Sequence, residues 1–94
     1  MRRKLVYSQH ADADLERLEL FIAAESRRQA TRAIARILRG LQNLQRFPEL
    51  GKDIGNGFRQ LVLRYGKNGY IIHYRVLDEA ILITRIWHGK EERR

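Results

Sequence analysis

The stretch Phe58-Arg-Gln-Leu-Val-Leu-Arg-Tyr65-Gly66-Lys-Asn-Gly69-Tyr70-Ile-Ile-His-Tyr-Arg-Val76-Leu-Asp78-Glu79-Ala80-Ile-Leu-Ile-Thr-Arg-Ile-Trp87 decides the fold. Phe58 to Tyr65 alternates, with Arg59, Leu61, Leu63 and Tyr65 on one side, as in a half-buried strand. Gly66-Lys-Asn-Gly69 is a hairpin turn signal. Tyr70 to Val76 is rich in β-branched and aromatic residues and reads as the next strand. Asp78-Glu79 turns the chain into a third strand, Ala80 to Trp87. Strands joined by hairpins must pair antiparallel. In the middle strand Ile71, His73 and Arg75 alternate with Ile72, Tyr74 and Val76, so His73 and Arg75 are expected on an open face. Which of Arg85 and His88 shares that face depends on whether a bulge reverses the parity.

Upstream of this meander the pattern is helical. Arg3 to Tyr7 reads as a short strand, and Ser8 as a helix N-cap with Asp12 and Asp14 favouring the helix dipole. Ala11, Leu15, Leu18 and Ile22 recur at helical spacing, with Phe21 beside them, until about Ala24 or Glu25. Ser26-Arg-Arg-Gln29 matches a capping box that opens a second helix. Its apolar stripe is Ala30, Ala33, Ile34, Ile37, Leu38, Leu41 and Leu44, with Arg28, Arg32, Arg36 and Arg39 on the other side. Pro48 forces the stop. The short link at Ser26 predicts an antiparallel helical hairpin, and residues 48–57 read as a loop turned by glycines. The expected architecture is α+β, ordered β-α-α-β-β-β. The helical hairpin packs on one face of a small antiparallel sheet, with residues 1–94 as a single domain.

A chain of 94 residues supports one modest core, burying about 60–68% of its unfolded surface. There is no cysteine, which excludes disulfides and thiolate metal sites and fits a reducing cytoplasm. His10, His73 and His88 lack metal-ligand spacing, and no phosphate-binding glycine loop or hydrolase motif occurs, so no metal or cofactor is expected. No signal peptide is expected at Met1-Arg-Arg-Lys-Leu-Val-Tyr7, and no apolar run approaches the roughly 20 residues of a membrane span.

The net charge of +8 is unevenly placed: residues 26–46 hold six arginines and no acid, whereas residues 11–25 hold five acids against Arg17. That asymmetry favours an anionic partner, with a solvated basic face as the other reading. Arg85-Ile-Trp-His-Gly-Lys90 gathers cations where a strand reaches the surface, a place where charge is cheap to keep and able to meet a partner.

These segments together resemble a known family. The element order, the Phe47-Pro48-Glu49-Leu50-Gly51 helix exit, Arg59 opening a strand, Gly69-Tyr70-Ile-Ile-His-Tyr74-Arg75-Val76 and Ile83-Thr-Arg85-Ile86-Trp-His88-Gly89-Lys90 are similar to the RelE/ParE toxins of bacterial type II toxin–antitoxin systems. The resemblance spans essentially the whole chain. RelE-like members are ribosome-dependent mRNA endoribonucleases that work with basic residues. At two of the places where that branch carries arginine this chain has Ile71 and Glu91, and the sequence ending at Arg94 shows no counterpart of the branch's C-terminal tyrosine. The strand ending Arg-Ile-x-His-Gly-basic resembles the ParE branch, whose members poison DNA gyrase without catalysis of their own.

The resemblance implies a cytoplasmic, growth-inhibiting toxin acting on DNA gyrase, neutralised by a cognate antitoxin in a hetero-oligomer, with no membrane or cofactor involved. The alternative partners are the ribosome and mRNA. Arg59, His73, Arg75, Arg85, Trp87, His88 and Lys90 are the candidates for target or antitoxin contact; in the nuclease alternative Arg59, Arg85, His88 and Lys90 would be catalytic. Each has a plainer reading. Arg85 could pair with Asp78 or Glu79, and His88 could cap the strand rather than act as an acid or base. Trp87 could be an exposed anchor or half-buried packing. Arg59, His73 and Arg75 could be solvated strand residues. Tyr70 and Tyr74 are expected in the packing, and Leu15, Leu18, Ile22, Ile34, Leu38 and Leu41 in the core.

Overall fold

Two serines start the two helices. The Ser8 hydroxyl accepts the Ala11 N–H at 3.0 Å, and the Ser26 hydroxyl accepts the Gln29 N–H at 3.2 Å. In the computed structural model, which describes residues 2–91, the order is β1 (Lys4–Tyr7), α1 (Gln9–Ala23), α2 (Arg27–Arg46), β2 (Lys52–Gly55), β3 (Phe58–Tyr65), β4 (Asn68–Val76) and β5 (Ala80–His88). The end of the charged tail, residues 92–94, lies outside the described residues. The capping box at Ser26 is half made: the Ser26 N–H is taken by the Ile22 carbonyl at 3.1 Å, so Gln29 has no amide to return to.

The fold is α+β, with the helical hairpin on one face of a sheet ordered β1-β5-β4-β3-β2. The β3-β4-β5 meander is antiparallel as its turns require. The sheet as a whole is mixed rather than purely antiparallel, because β1 joins β5 in parallel with Lys4 opposite Ala80 and Tyr7 opposite Ile83. No hairpin links β1 to a neighbour. Its long connection through the helices leaves the parallel direction open. The expected 48–57 loop contains β2, a short edge strand opposite Arg59 and Gln60. Its turn passes through Gly55, Asn56 and Gly57 at positive φ, with the Gly55 N–H held by the Asp53 carboxylate at 2.8 Å.

The core lies between the hairpin and the sheet. Leu18, Ile37, Leu41 and Leu44 from the helices meet Ile72, Tyr74, Ile81, Ile83 and Ile86, all fully buried. Each such aliphatic side chain stabilises by about 1.5–3 kcal/mol through removal from water. Gly40 lets α2 approach β3 closely, since a Cβ there would lie 2.5 Å from a Leu63 methyl. Two apolar positions depart from expectation: Leu38 is 41% exposed at the flank of α2, and Phe21 is 53% exposed near the end of α1. Among the described residues no helix is long and apolar enough to cross a membrane.

A bulge in β5 sets the site's geometry. Tyr74 lies opposite Ile83 while His73 lies opposite Arg85, so Thr84 is the extra residue, its hydroxyl donating to the His73 carbonyl at 3.1 Å. Ile83 and Ile86 therefore both face the helices, three residues apart. Arg85 and Trp87 pair with His73 and Ile71 of the open face, whereas His88 pairs with Tyr70 of the helix face.

Candidate functional site

β1 pairs only with the first half of β5, residues 80–83, which leaves the edge from Thr84 onward without a strand neighbour. Side chains supply the missing ladder. The Ser8 hydroxyl donates to the Thr84 carbonyl at 3.0 Å. The Asp14 carboxylate accepts the Ile86 N–H at 2.7 Å, and the Arg17 guanidinium donates to the Ile86 carbonyl at 3.1 Å. Beyond them the Glu91 carboxylate accepts the His88 N–H at 2.8 Å. An open strand edge is a template for unwanted pairing, and this one is closed by polar groups of fixed geometry.

The same groups form an ion network. Arg17 binds Asp14 and lies 2.9 Å from Glu91, and the Arg85 Nε reaches Asp14 at 2.9 Å. Asp14 is 2% exposed and satisfied on both oxygens. Burial pushes its carboxyl pKa up, but the hydrogen bonds from Arg85, the Ile86 amide and Arg17 outweigh it, leaving the group below the ordinary carboxylate value. Glu91 follows the same pattern: burial raises it, and Arg17 with the His88 amide lowers it further. The Arg17 guanidinium is held more firmly protonated, chiefly by its hydrogen bonds to Glu91.

The expected site residues therefore separate. Arg85 pairs with Asp14 rather than with Asp78 or Glu79, because its chain position beside the bulge points it over the β5 edge toward α1. His88 sits among aromatic rings on the helix face, 5.3 Å from Tyr70 and 6.0 Å from Phe21 between centroids. Its Nδ1 accepts the Lys90 N–H at 3.0 Å, the strand-capping arrangement. Trp87 is 6% exposed, more buried than either expectation, with the His73 ring edge-on at 4.6 Å. His73 also contacts the Gln60 amide oxygen at 2.9 Å. Arg75 is exposed on the open face with its guanidinium over Phe58 at 5.0 Å, and Lys90 is exposed beyond the strand.

Arg59 does not share the open face with Arg75. Opposite Tyr74 in register, it points to the helix side and donates to the Gly51 carbonyl at 2.7 Å. There it joins Arg3, Arg46, Phe47 and Leu50 around a cleft of about 570 Å³. His88 lies opposite Tyr70, four residues from Tyr74 and two strands from β3. That places the backbones of Arg59 and His88 roughly 16 Å apart. A second, larger groove of about 870 Å³ runs along Phe21, Tyr65, Tyr70, His88, Arg32 and Lys90. The open face around Ile71 is apolar: Val62 stands opposite Ile71 on one side and Trp87 on the other. Tyr70 and Tyr74 are buried, and burial raises both phenols.

Sequence reasoning missed Asp14, Arg17 and Glu91 as the residues that organise this end of the molecule. A signal for Asp14 was present: it lies three after Ala11 and four before Leu18, on the apolar stripe, where an acid needs a partner. Among the described residues no cluster of His, Asp or Glu could hold a metal ion.

A helical hairpin on a mixed sheet, ending in a cationic strand braced by an ion network, defines a small α+β protein. Over residues 5–93 the chain matches, and belongs to, the family described as the ParE toxin of type II toxin–antitoxin systems, parDE. It is similar to Toxin RelE1 of Caulobacter vibrioides, 32% identical over 89 residues covering 95% of this chain and 96% of that protein. Toxin RelE3 of the same organism is 34% identical over 83 residues, covering 88% and 90%. The fold is that of a chain in the chromosomal ParDE system from P. aeruginosa, with TM-score 0.75 and 22% identity over 95% of this chain and 98% of that one. A chain of the intact E. coli RelBE toxin–antitoxin complex gives TM-score 0.63 and 22% identity over 97% and 99%. The chain is a toxin of a type II toxin–antitoxin system within the RelE/ParE superfamily.

Proposed function

We propose that this toxin acts by inhibiting DNA gyrase, in the cytoplasm, and is neutralised in a hetero-oligomer with a cognate antitoxin. The observation that carries the reading is the state of the two positions where the ribonuclease branch keeps arginines. Ile71 sits in an apolar patch with Val62 and Trp87, and Glu91 is turned onto Arg17 and the His88 amide. Cleavage of RNA needs groups that stabilise phosphorane charge and move protons. The separation of Arg59 from His88, and the packing of His88 between Tyr70 and Phe21, also favour a toxin without catalysis of its own.

The antitoxin follows from family membership and from neighbours solved as ParDE and RelBE complexes. Its C-terminal segment would lie across the sheet and the helix pair with acidic and apolar anchors. Arg59, His73, Arg75, Arg85, Trp87, His88 and Lys90 remain the residues assigned to target or antitoxin contact. Arg75, Lys90 and the outer half of Arg85 present the cations accessible to it, the Arg85 side chain being 48% exposed.

The second reading is a ribosome-dependent mRNA endoribonuclease. It is favoured by one observation: the two curated relatives above 30% identity are both named RelE toxins. The two readings part in the test tube. Inhibition of gyrase supercoiling by the purified chain, relieved by the antitoxin, supports the first. Cleavage of mRNA on purified ribosomes, lost in His88→Ala, supports the second.

A further inference from the structure

α2 carries Arg28, Arg32, Arg36, Arg39 and Arg46 along one side. At 3.6 residues per turn these positions fall within roughly 80° of one another, opposite the buried Ala33, Ile37 and Leu44. The stripe from Arg28 to Arg46 is roughly 27 Å long. Residues 26–46 hold no acid, and the ion pairs among the described residues, made by Arg17 and Arg85, do not reach this face. Like charges three and four apart destabilise a helix. The face therefore carries a repulsion that a row of anions would relieve.

The chemistry between the arginines narrows the anion. Ala35, Gln42 and Asn43 are the exposed neighbours, all small or polar. The exposed Leu38 lies roughly 110° round the helix from the stripe's axis. Protein interfaces concentrate their affinity in buried apolar and aromatic anchors, and single-stranded nucleic acid is held by stacking on aromatic side chains. Between Arg28 and Arg39 this face offers neither; Phe47, 55% exposed just past the end of the stripe, already carries the Arg46 guanidinium over its ring at 5.4 Å. The face offers long guanidiniums suited to phosphate oxygens. They form two rows, Arg28, Arg39 and Arg46 against Arg32 and Arg36, splayed by roughly 50°. The minor groove of B-DNA, about 6 Å wide, brings the phosphates of both strands within reach of two such rows. The wide, shallow minor groove of an RNA duplex does not.

We propose that the arginine face of α2 docks on the phosphate backbone of duplex DNA, without reading its sequence. The inference does not rest on gyrase as the target. The test is anisotropy of the full chain with a labelled DNA duplex of about 25 base pairs, from about 50 to 200 mM salt. The logarithm of the association constant should fall with the logarithm of salt with a slope of about −4.5, for five arginine–phosphate contacts. Arg32→Gln/Arg36→Gln/Arg39→Gln should make that slope shallower by about 3. Glutamine has a helix propensity close to that of arginine, so α2 is retained. Arg28→Gln/Arg46→Gln, at the ends of the stripe, should independently remove about 2. The control Lys52→Gln/Arg64→Gln/Lys67→Gln makes the same charge change away from α2 and should leave the slope in place. Equal weakening by both triple variants would overturn the proposal. So would the absence of binding at the lowest salt, or binding of single-stranded DNA, duplex RNA or polyglutamate as tight as that of duplex DNA.

Discussion

The Asp14 carboxylate accepts the backbone N–H of Ile86 at 2.7 Å, so a helix side chain takes the place of a strand neighbour on the β5 edge. Around that bond the ions Arg17, Arg85 and Glu91 assemble. The acidic helix and the cationic strand end, contiguous in neither sequence nor charge, are one structural unit.

Removing that carboxylate should cost more than a surface charge would. Asp14→Ala leaves the Ile86 amide buried without an acceptor and the Arg85 guanidinium without its counter-charge, while Arg17 keeps Glu91. A loss of about 2–4 kcal/mol is expected, moderated by the partial exposure of both arginines. Asp14→Asn keeps one acceptor and should lose roughly half as much. Urea denaturation midpoints at unchanged slope measure both; a shift in Asp14→Ala as small as that in an exposed control such as Asp12→Ala would refute the role assigned to Asp14.

The pH dependence follows from the same groups. Asp14 and Glu91 have carboxyl pKa values lowered in the folded state. Between the folded and unfolded values the unfolded chain binds more protons, so stability rises with pH there. Their contribution is complete above the unfolded carboxylate values of about 4 and is lost as pH falls through the lower folded values. Acid titration of the unfolding free energy should show this loss, and Asp14→Asn should flatten it. An identical profile in the variant would contradict the network.

Much of this was legible in the chain. The alternation of Phe58 to Tyr65 and Tyr70 to Val76, the turn at Gly66 to Gly69 and the two serine caps carry local signals, and the structure follows them. The parallel pairing of β1 is not local: nothing in Lys4 to Tyr7 names Ile81 or Leu82 as its neighbour. β2 has only four residues, all exposed, and its edge pairing leaves no apolar alternation to read. At the site, the Arg85–Asp14 pair joins residues 71 apart in sequence, which spacing cannot show. The bulge at Thr84 reverses the parity of the rest of β5, putting Arg85 and Trp87 on the open face and His88 on the helix face, the choice that alternation alone left open.

Tyr74 ties the helix exit to the sheet. Its hydroxyl donates to the Pro48 carbonyl at 2.7 Å and accepts the Gly51 N–H at 2.8 Å. Tyr74→Phe should lose about 1–3 kcal/mol, chiefly because the buried Gly51 amide is orphaned. Amide hydrogen exchange at Gly51 reads the effect locally: faster exchange there is expected, and protection unchanged from the parent chain would count against it.

Ile71→Arg/Glu91→Arg restores cations at the two places that distinguish the branches. Ile71 lies on the open face, so arginine can be accommodated there, whereas Glu91→Arg releases Arg17 and the His88 amide at a cost of about 1–2 kcal/mol. If those cations are what the chain lacks, mRNA cleavage on ribosomes should be greater in the folded double variant than in the parent. Strong cleavage by the parent itself would place this toxin with the ribonucleases.

Gyrase supercoiling of relaxed plasmid, with the purified chain present and then with its antitoxin added, tests the central claim most directly. The account predicts inhibition, accumulation of cleaved DNA trapped on gyrase, and recovery when the antitoxin is supplied. Undiminished supercoiling at a large molar excess of folded toxin would contradict it.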